Sequence, residues 1–178
     1  MSRKIIIVVI PIIILACNFL FPARESTAQE TPISEPIETN SPQKQNGFTV
    51  VRLHPADGDL QDMLSVEAQK AYALGQMPIV EFDATWCPPC QAIDAAFKAK
   101  NQLMLKAYDG TYIIKLDVDE WKWKENRIQN FEFEFIPIYF KLDEQGNQTG
   151  ESIDGGAWGE DIPENIAPVM DKFFHNKN

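Results

Sequence analysis

The sequence predicts an α/β domain with three layers, α/β/α, around a central mixed sheet. Two patterns along the chain predict this class. Short apolar segments typical of strands alternate with longer segments whose apolar residues recur at helical spacing, which favours parallel strands covered by helices on both faces. The last two strands follow each other across a short polar turn, which indicates a terminal antiparallel hairpin. The predicted order is β-α-β-α-β-α-β-β-α.

The first unit begins with a strand predicted over residues 48–53. Asp57 or Asp59 is then expected to cap a helix, because a carboxylate accepts hydrogen bonds from the free amides of a first turn. Gly75 is expected to end this helix, since glycine adopts the left-handed conformation that closes many helices. The apolar positions that define the buried face are Leu60, Met63, Leu64, Ala68, Ala71 and Tyr72.

The next two units surround a pair of cysteines. A short strand predicted over 78–82 leads to a helix from Cys90 to about Lys106, whose apolar residues again have helical spacing. An almost continuous apolar run over 111–118 predicts a buried strand. A short helix is expected to follow over 121–130.

Residues 138–142 and 149–153 are predicted to form the terminal hairpin, because the turn-forming sequence Asp-Glu-Gln-Gly-Asn separates them. The last element is a helix. Asp161 and Glu164 have the spacing of a capping box, which predicts that the helix opens there. Its apolar spacing continues to Phe174.

The N-terminus has the composition of an export signal. Residues 1–28 begin with two basic residues, continue with an apolar run and end in a small-residue cleavage site at Ala28, which indicates a signal peptide or membrane anchor. The sequence Ile-Leu-Ala-Cys that ends at Cys17 also resembles a bacterial lipobox. Each alternative places the domain outside the cytoplasm, in the bacterial periplasm or cell envelope, as a secreted, lipid-anchored or N-terminally anchored protein.

Residues 29–46 are predicted to be a flexible tether, because they are rich in Pro, Glu, Ser and Thr and lack apolar periodicity. Residues 47–178 then form a single domain, which is expected to be a monomer. The net charge of −10 argues against nucleic acid as a partner. The same charge should repel anionic lipid. A membrane tether is therefore expected only through the N-terminal segment.

Two cysteines lie in the Trp-Cys-Pro-Pro-Cys motif at 86–90. At the start of a helix, free backbone amides and the helix dipole favour a thiolate on Cys87, and Cys90 lies one turn further on. Cys87 could then open a substrate disulfide, and Cys90 could release the substrate by forming an internal disulfide. The two prolines cost little there, because a helix start tolerates missing amides.

Three other uses of the cysteine pair are weaker. A zinc site would need two further ligands, and only His54 and His175 remain, at spacings unlike those of zinc sites. Covalent haem would need histidine directly after the second cysteine, where the chain has Gln91. An inert structural disulfide would leave the neighbouring Trp86 and the helix start unexplained. No metal and no cofactor are therefore expected.

A carboxylate and an ammonium group interrupt strands that should be buried. Glu81 lies in the strand before the motif, and Lys115 is the only charge within Tyr-Ile-Ile-Lys-Leu at 112–116. If the two strands are neighbours, these side chains can pair beneath the cysteines, and Glu81 could take the proton that Cys90 loses. The alternative is two surface groups at strand edges.

Pro137 stands at the start of a predicted strand, in the sequence Phe-Ile-Pro-Ile. Proline is tolerated there with a cis or a trans peptide bond, and trans is the ordinary state. A cis bond would present the backbone of Ile136 to an extended substrate peptide beside Cys87.

Together these residues resemble the thioredoxin superfamily over residues 48–174. The superfamily's acidic residue shortly before Trp-Cys-x-x-Cys matches Glu81. Its core lysine falls on Lys115, and its cis-proline, preceded by Ile, falls on Ile136 and Pro137. The resemblance implies a thioredoxin fold and a cis peptide bond before this proline.

The Trp-Cys-Pro-Pro-Cys variant with an export leader resembles TlpA-like extracytoplasmic thioredoxins and disulfide interchange proteins. The resemblance implies a thiol:disulfide oxidoreductase that acts on extracytoplasmic protein disulfides or thiols and depends on an upstream redox partner. Isoleucine before the cis-proline favours a reductase-like role. The implied catalytic residues are Cys87, Cys90, Glu81 and Lys115, and the implied substrate-binding residues are Trp86, Pro88, Pro89, Ile136 and Pro137. The alternative is a non-catalytic docking module of the same fold whose cysteine pair stays oxidised.

Overall fold

The computed structural model describes residues 47–123 and 131–176. The predicted leader over 1–28 and the predicted tether over 29–46 lie outside these residues, as does most of the helix predicted over 121–130. No helix within the two described ranges is both long and apolar enough to cross a membrane.

A five-stranded mixed sheet runs through the described residues. Its strands are β1 (Thr49–Arg52), β2 (Met77–Asp83), β3 (Thr111–Asp117), β4 (Ile138–Leu142) and β5 (Gln148–Asp154). They lie in the order β1-β3-β2-β4-β5, with β1, β3 and β2 parallel and with β4 antiparallel to both of its neighbours. The mixed sheet and its terminal hairpin are confirmed, and every strand begins and ends within one residue of its predicted limits.

Helices cover both faces of this sheet. They are α1 (Leu60–Ala73), α2 (Pro88–Lys98), α3 (Gln102–Ala107) and α4 (Pro163–His175). Alternate residues of a strand face opposite sides. Val80 and Ile114 belong to a core cluster that α1 completes, whereas Ile79 and Ile113 belong to a cluster completed by α3, α4 and the later part of α2. The three-layer α/β/α architecture is therefore confirmed.

The single helix predicted over 90–106 is in fact the two helices α2 and α3, so that prediction was wrong. Lys100 lies between them with a φ of 54°, outside the right-handed helical region. The side-chain oxygen of Asn101 accepts hydrogen bonds from two amides in the first turn of α3. The apolar spacing continues across the break because Ala96 and Met104 pack into the same core cluster.

One predicted helix cap is confirmed and another is wrong. Asp59 caps α1 by accepting hydrogen bonds from two amides of its first turn. The capping box expected from Asp161 and Glu164 does not form, because the N-cap position of α4 is Ile162, whose side chain makes no capping hydrogen bond. The Asp161 carboxylate accepts a hydrogen bond from the indole N–H of Trp158 instead, at 3.0 Å.

The topology brings two chain segments together at one end of the sheet. Because β4 is antiparallel to β2, Ile138 at the start of β4 lies opposite Phe82 near the end of β2. The residues just before β4 therefore lie beside the residues just after β2. This places the peptide between Ile136 and Pro137 beside Cys87.

Candidate active site

Cys87 and Cys90 are joined by a disulfide at the start of α2. Their Cα atoms are 5.3 Å apart. Cys87 is the N-cap residue of α2, and its Sγ atom accepts a hydrogen bond from the backbone N–H of Cys90 at 3.3 Å. The pair therefore lies at a helix start with its sulfur atoms within bonding reach, as the motif predicts.

Pro88 and Pro89 decide which backbone amide reaches this sulfur. They occupy the first two positions of α2, and proline carries no N–H group. The N–H of Cys90 is therefore the first amide donor of the helix, and it donates to Sγ of Cys87. This hydrogen bond and the positive end of the α2 dipole act on the same atom, so both favour a thiolate there once the disulfide is reduced.

Both cysteines are almost completely covered in the disulfide form. Cys87 is 1% exposed and Cys90 is 2% exposed, whereas the neighbouring Trp86 is 60% exposed. An incoming sulfur atom therefore reaches Cys87 only after the groups that cover it move apart. The sequence holds no signal for this coverage, because it depends on tertiary packing around the start of α2.

The peptide bond between Ile136 and Pro137 is cis, which confirms the expectation from the resemblance. The carbonyl oxygen of Ile136 lies 3.7 Å from Sγ of Cys87. Pro137 is buried, and its carbonyl oxygen accepts a hydrogen bond from the N–H of Gly155 at 3.0 Å. A Cβ atom on Gly155 would lie 3.2 Å from the proline ring, so glycine permits this close approach.

A pocket of about 330 Å³ opens beside the exposed Trp86. Ile136 and Trp123 line it, and Trp123 stacks on Phe133 with ring centroids 4.4 Å apart. The indole N–H of Trp86 donates to the carboxylate of Asp119 at 2.6 Å, which orients the ring at the edge of the pocket. The sequence predictions include neither Asp119, which lines the pocket, nor Phe133, which packs behind Trp123. The phenylalanines that precede β4 are the available signal for this aromatic packing.

Glu81 and Lys115 are paired across neighbouring strands, as predicted. They are register partners on β2 and β3, and Nζ of Lys115 lies 3.4 Å from Oε1 of Glu81. Glu81 is 2% exposed, and its Oε1 atom has no hydrogen-bond partner within the described residues. The alternative of two surface groups at strand edges is therefore wrong.

Burial raises the pKa of Glu81 to about 7, because a buried charge loses its hydration. Lys115 lowers this pKa, the carboxylates of Asp83 and Asp94 raise it, and contact with the Tyr139 hydroxyl lowers it. A carboxyl group with this pKa is about half protonated near neutral pH. It can therefore both accept and release a proton under those conditions.

Lys115 contacts two carboxylates more closely than it contacts Glu81. Its Nζ atom lies 2.9 Å from Oδ1 of Asp94 and 3.0 Å from Oδ2 of Asp83. Burial acts to lower the pKa of Lys115, but Glu81, Asp83 and Asp94 together raise it above its ordinary value. Lys115 is therefore a cation that several acidic groups share.

Arg52, at the end of β1, completes this cluster. Its guanidinium group donates two hydrogen bonds to the carboxylate of Asp83, at 2.7 and 3.0 Å. Arg52, Asp83 and Asp94 are absent from the sequence predictions. The available signal for Asp83 is that it follows Glu81 by two residues on one strand, so both face the same side of the sheet. In the part of the chain that the structure describes, no group of three or more His, Cys, Asp or Glu residues could hold a metal ion.

The family model for thioredoxin matches residues 67–168, which is more than half of the chain. The chain belongs to the thioredoxin family. The matched range contains the disulfide, the pair of Glu81 and Lys115, and the cis-proline Pro137. Family membership and the disulfide between Cys87 and Cys90 make the chain a thioredoxin-like thiol:disulfide oxidoreductase.

Several named thioredoxins and thioredoxin-like proteins are similar to this chain. The chloroplastic thioredoxin-like protein HCF164 of Oryza sativa subsp. japonica is 31% identical over 109 residues, which cover 60% of this chain and 40% of that protein. Thioredoxin H4 of Arabidopsis thaliana is 30% identical over 107 residues, covering 59% and 81%. The thiol:disulfide interchange protein TxlA homolog of Synechocystis is 34% identical over 99 residues, covering 51% of each protein. The chain thus spans only part of the HCF164 and TxlA relatives.

Solved thioredoxin structures are more distant in sequence. Reduced Schistosoma mansoni thioredoxin pre-protein is 22% identical to this chain and has a TM-score of 0.41, over 70% of this chain and 98% of that one. Thioredoxin of Trichomonas vaginalis is 21% identical with a TM-score of 0.42, over 70% and 96%. The fold of this chain is established by its own sheet order and by the family match.

Proposed function

We propose that this member of the thioredoxin family reduces disulfides in extracytoplasmic proteins through Cys87 and Cys90. The observation that carries the proposal is the position of the Cys87 sulfur atom. It lies at the N-cap of α2, where it accepts a hydrogen bond from the first backbone N–H of that helix, and it is bonded to the sulfur of Cys90. A sulfur in this position is stabilised as an anion after reduction, and it already has its resolving partner within reach.

The exchange takes place in two displacements. The Cys87 thiolate attacks one sulfur of a substrate disulfide, so that a mixed disulfide forms and the first substrate thiolate leaves. Cys90 then loses its proton and attacks Sγ of Cys87, which breaks the mixed disulfide and releases the second substrate thiolate. The substrate gains two electrons and the cysteine pair becomes the internal disulfide seen in the structure. An upstream redox partner must then return two electrons to this pair.

Glu81 is the proposed acceptor of the Cys90 proton. Its pKa of about 7 makes the carboxyl group an effective general base and acid near neutral pH. Lys115, 3.4 Å away, is proposed to steady the carboxylate once it has lost its proton again. The Oε1 atom of Glu81 has no hydrogen-bond partner among residues 47–123 and 131–176, which supports this role because that oxygen can bind a proton or a bridging water.

Substrate binding is proposed at the surface formed by Trp86, Pro88, Pro89 and the backbone of Ile136, whereas the buried Pro137 would act by holding that backbone in place. The backbone of Ile136 lies beside the reactive sulfur, where an extended peptide could pair with it. Trp86 supplies a large exposed aromatic ring next to it. Because Cys87 is almost fully covered, binding of the peptide has to displace the covering groups before the sulfur atoms meet.

The location and the direction of electron flow belong to the same proposal. The predicted export signal or anchor supports a location outside the cytoplasm, in a bacterial periplasm or cell envelope, with a membrane tether through the N-terminus. Ile136 before the cis-proline supports a reductase-like direction. Two of the relatives are named as a chloroplastic thioredoxin-like protein and a thiol:disulfide interchange protein, which suits such a location. The domain is proposed to act as a monomer.

Replacing the resolving cysteine tests whether Cys87 attacks a substrate disulfide, as an exchange enzyme requires. In the Cys90→Ser protein the second displacement cannot occur, so we expect mixed disulfides with insulin, used as a model substrate, to accumulate. Non-reducing electrophoresis and mass spectrometry of the adducts measure this. Both this protein and its control also carry Cys17→Ser, so that no other thiol is present. The matched control has Cys87→Ser as well and should form none. If the reduced Cys90→Ser protein forms no adduct with insulin, Cys87 does not attack substrate disulfides and the proposed exchange is wrong.

A further inference from the structure

We propose that Asp83, held in place by Arg52, is a positioning residue that draws the Lys115 ammonium away from Glu81 and so sets the protonation of the buried carboxyl group. The proposal rests on the proposed role of Glu81 in proton transfer. It adds to that role a reason why this carboxyl group is not locked in an ion pair with Lys115.

Lys115 lies closer to the two aspartates than to Glu81. Its Nζ atom lies 3.0 Å from Asp83 and 2.9 Å from Asp94, both at hydrogen-bonding distance, but 3.4 Å from Oε1 of Glu81. That Oε1 atom has no hydrogen-bond partner within the described residues, although it is fully buried. The Lys115 ammonium group therefore contacts the two aspartates closely, and its contact with Glu81 is a longer ion pair.

Arg52 fixes the position of the Asp83 carboxylate, which competes with Glu81 for contact with Lys115. Its guanidinium group binds both oxygens of Asp83, a two-point contact that leaves this carboxylate little freedom. Asp83 itself is 3% exposed, so its charge is poorly screened by solvent. Asp83 is thus a fixed neighbour of Glu81 on the same face of β2, and it is bound to Arg52 at both carboxyl oxygens.

The cluster contains more carboxyl groups than cations. Two cations, Arg52 and Lys115, lie among three carboxyl groups, Glu81, Asp83 and Asp94. The two aspartates hold the cations at hydrogen-bonding distance, so Glu81 is the carboxyl group left over. A third negative charge there is opposed by burial and by repulsion from the two aspartates, which favours a proton on Glu81.

Charged and titratable groups from each surrounding element enter this balance. β1 contributes Arg52, β2 contributes Asp83, β3 contributes Lys115 and Asp117, and β4 contributes Tyr139, whose hydroxyl neighbours Glu81. Asp94 and Lys98 of α2 line the same cavity as Glu81, and Tyr108 follows α3 and contacts Tyr139. Among these groups, Asp83 is a buried carboxylate that contacts both cations.

The test is a direct titration of the Glu81 carboxyl group in the full-length oxidised protein by infrared or carbon-13 spectroscopy. Asp83→Asn removes a negative charge and releases Lys115 toward Glu81, so we expect the Glu81 titration to move down by about one to three pH units. Arg52→Gln leaves Asp83 to bind Lys115 more strongly and removes a nearby cation, so the titration should move up. Opposite shifts would not arise from a general loss of stability.

Two further variants keep the test decisive. Asp94→Asn removes the other competitor for Lys115, and it should shift the Glu81 titration in the same direction as Asp83→Asn but less, because Asp94 is 46% exposed and screened by water. Asp94→Asn takes the place of Asp83→Asn in the test if the Asp83→Asn protein does not fold. Glu144→Gln, in the exposed turn between β4 and β5, makes the same charge change without touching the cluster, and it should leave the titration in place.

An unmoved Glu81 titration in the aspartate variants, or an equal shift in Glu144→Gln, would overturn the inference. Failure of the proposed proton transfer has a different signature. In that case the Glu81 titration moves in the Asp83 variant while the pH profile of the exchange rate does not follow it. Such a result supports the positioning of Lys115 by Asp83 and removes Glu81 from the reaction.

Discussion

The Cys87→Ser protein is expected to reduce insulin no faster than the reductant alone. Serine has no thiolate at neutral pH, so the first displacement has no nucleophile, and the covered Cys90 cannot replace it. The loss should reach the uncatalysed background rather than a partial rate. A turbidity assay of insulin reduction with a fixed amount of reductant measures it.

Cys17→Ser is the matched control for this prediction. It makes the same chemical change at a cysteine outside the described domain, and it should retain the wild-type rate of exchange. If the Cys87→Ser protein still reduces insulin at a rate close to wild type, Cys87 is not the attacking residue. The proposed order of the two displacements would then be wrong.

Replacing Glu81 by glutamine is expected to remove a large part of the pH dependence of stability. The pKa of Glu81 is about 7 in the folded protein and close to the ordinary glutamate value, about 4.3, in the unfolded chain. The folded state therefore binds this proton more tightly than the unfolded chain does. The resulting stabilisation is fully present below about pH 4.3, the pKa of Glu81 in the unfolded chain, and it is lost as the pH rises through about 7, its pKa in the folded protein. The full loss is about 4 kcal/mol, at 1.36 kcal/mol for each pH unit between the two pKa values.

Urea unfolding of the oxidised protein at about pH 5 and about pH 8 measures this effect. Both proteins should lose stability between these pH values, and the Glu81→Gln protein should lose about 3 kcal/mol less than the wild type. This is less than the full effect, because pH 5 already lies above the unfolded pKa of about 4.3. Glu144→Gln, an exposed variant with the same change of charge, should behave like the wild type. Equal pH dependence in the wild-type and Glu81→Gln proteins would contradict the raised pKa of the buried carboxyl group.

The sheet and the cysteine site could be predicted because their signals are local in the chain. Apolar runs located each strand to within one residue, and the motif at 86–90 placed the sulfur pair at a helix start. The pairing of Glu81 with Lys115 needed one more inference, that their strands are neighbours. The parallel register of β2 and β3 supplies it.

The features that escaped prediction depend on tertiary structure. The break between α2 and α3 comes from the Asn101 side chain, whereas the apolar spacing continues through it and predicts a single helix. The contact of Arg52 with Asp83 joins β1 to β2 across β3, so it depends on strand order. The coverage of Cys87 likewise depends on packing around α2 and has no signature in the motif itself.

A thiolate on Cys87 is tested most directly by its ultraviolet absorbance, followed against pH in the reduced protein carrying Cys17→Ser and Cys90→Ser. Cys87 is then the only thiol, so the transition belongs to that residue alone. We expect ionisation below the free-cysteine value of about 8.5, because the Cys90 amide and the α2 dipole both stabilise the anion. Ionisation at or above that value would contradict a sulfur prepared for attack at the start of this helix.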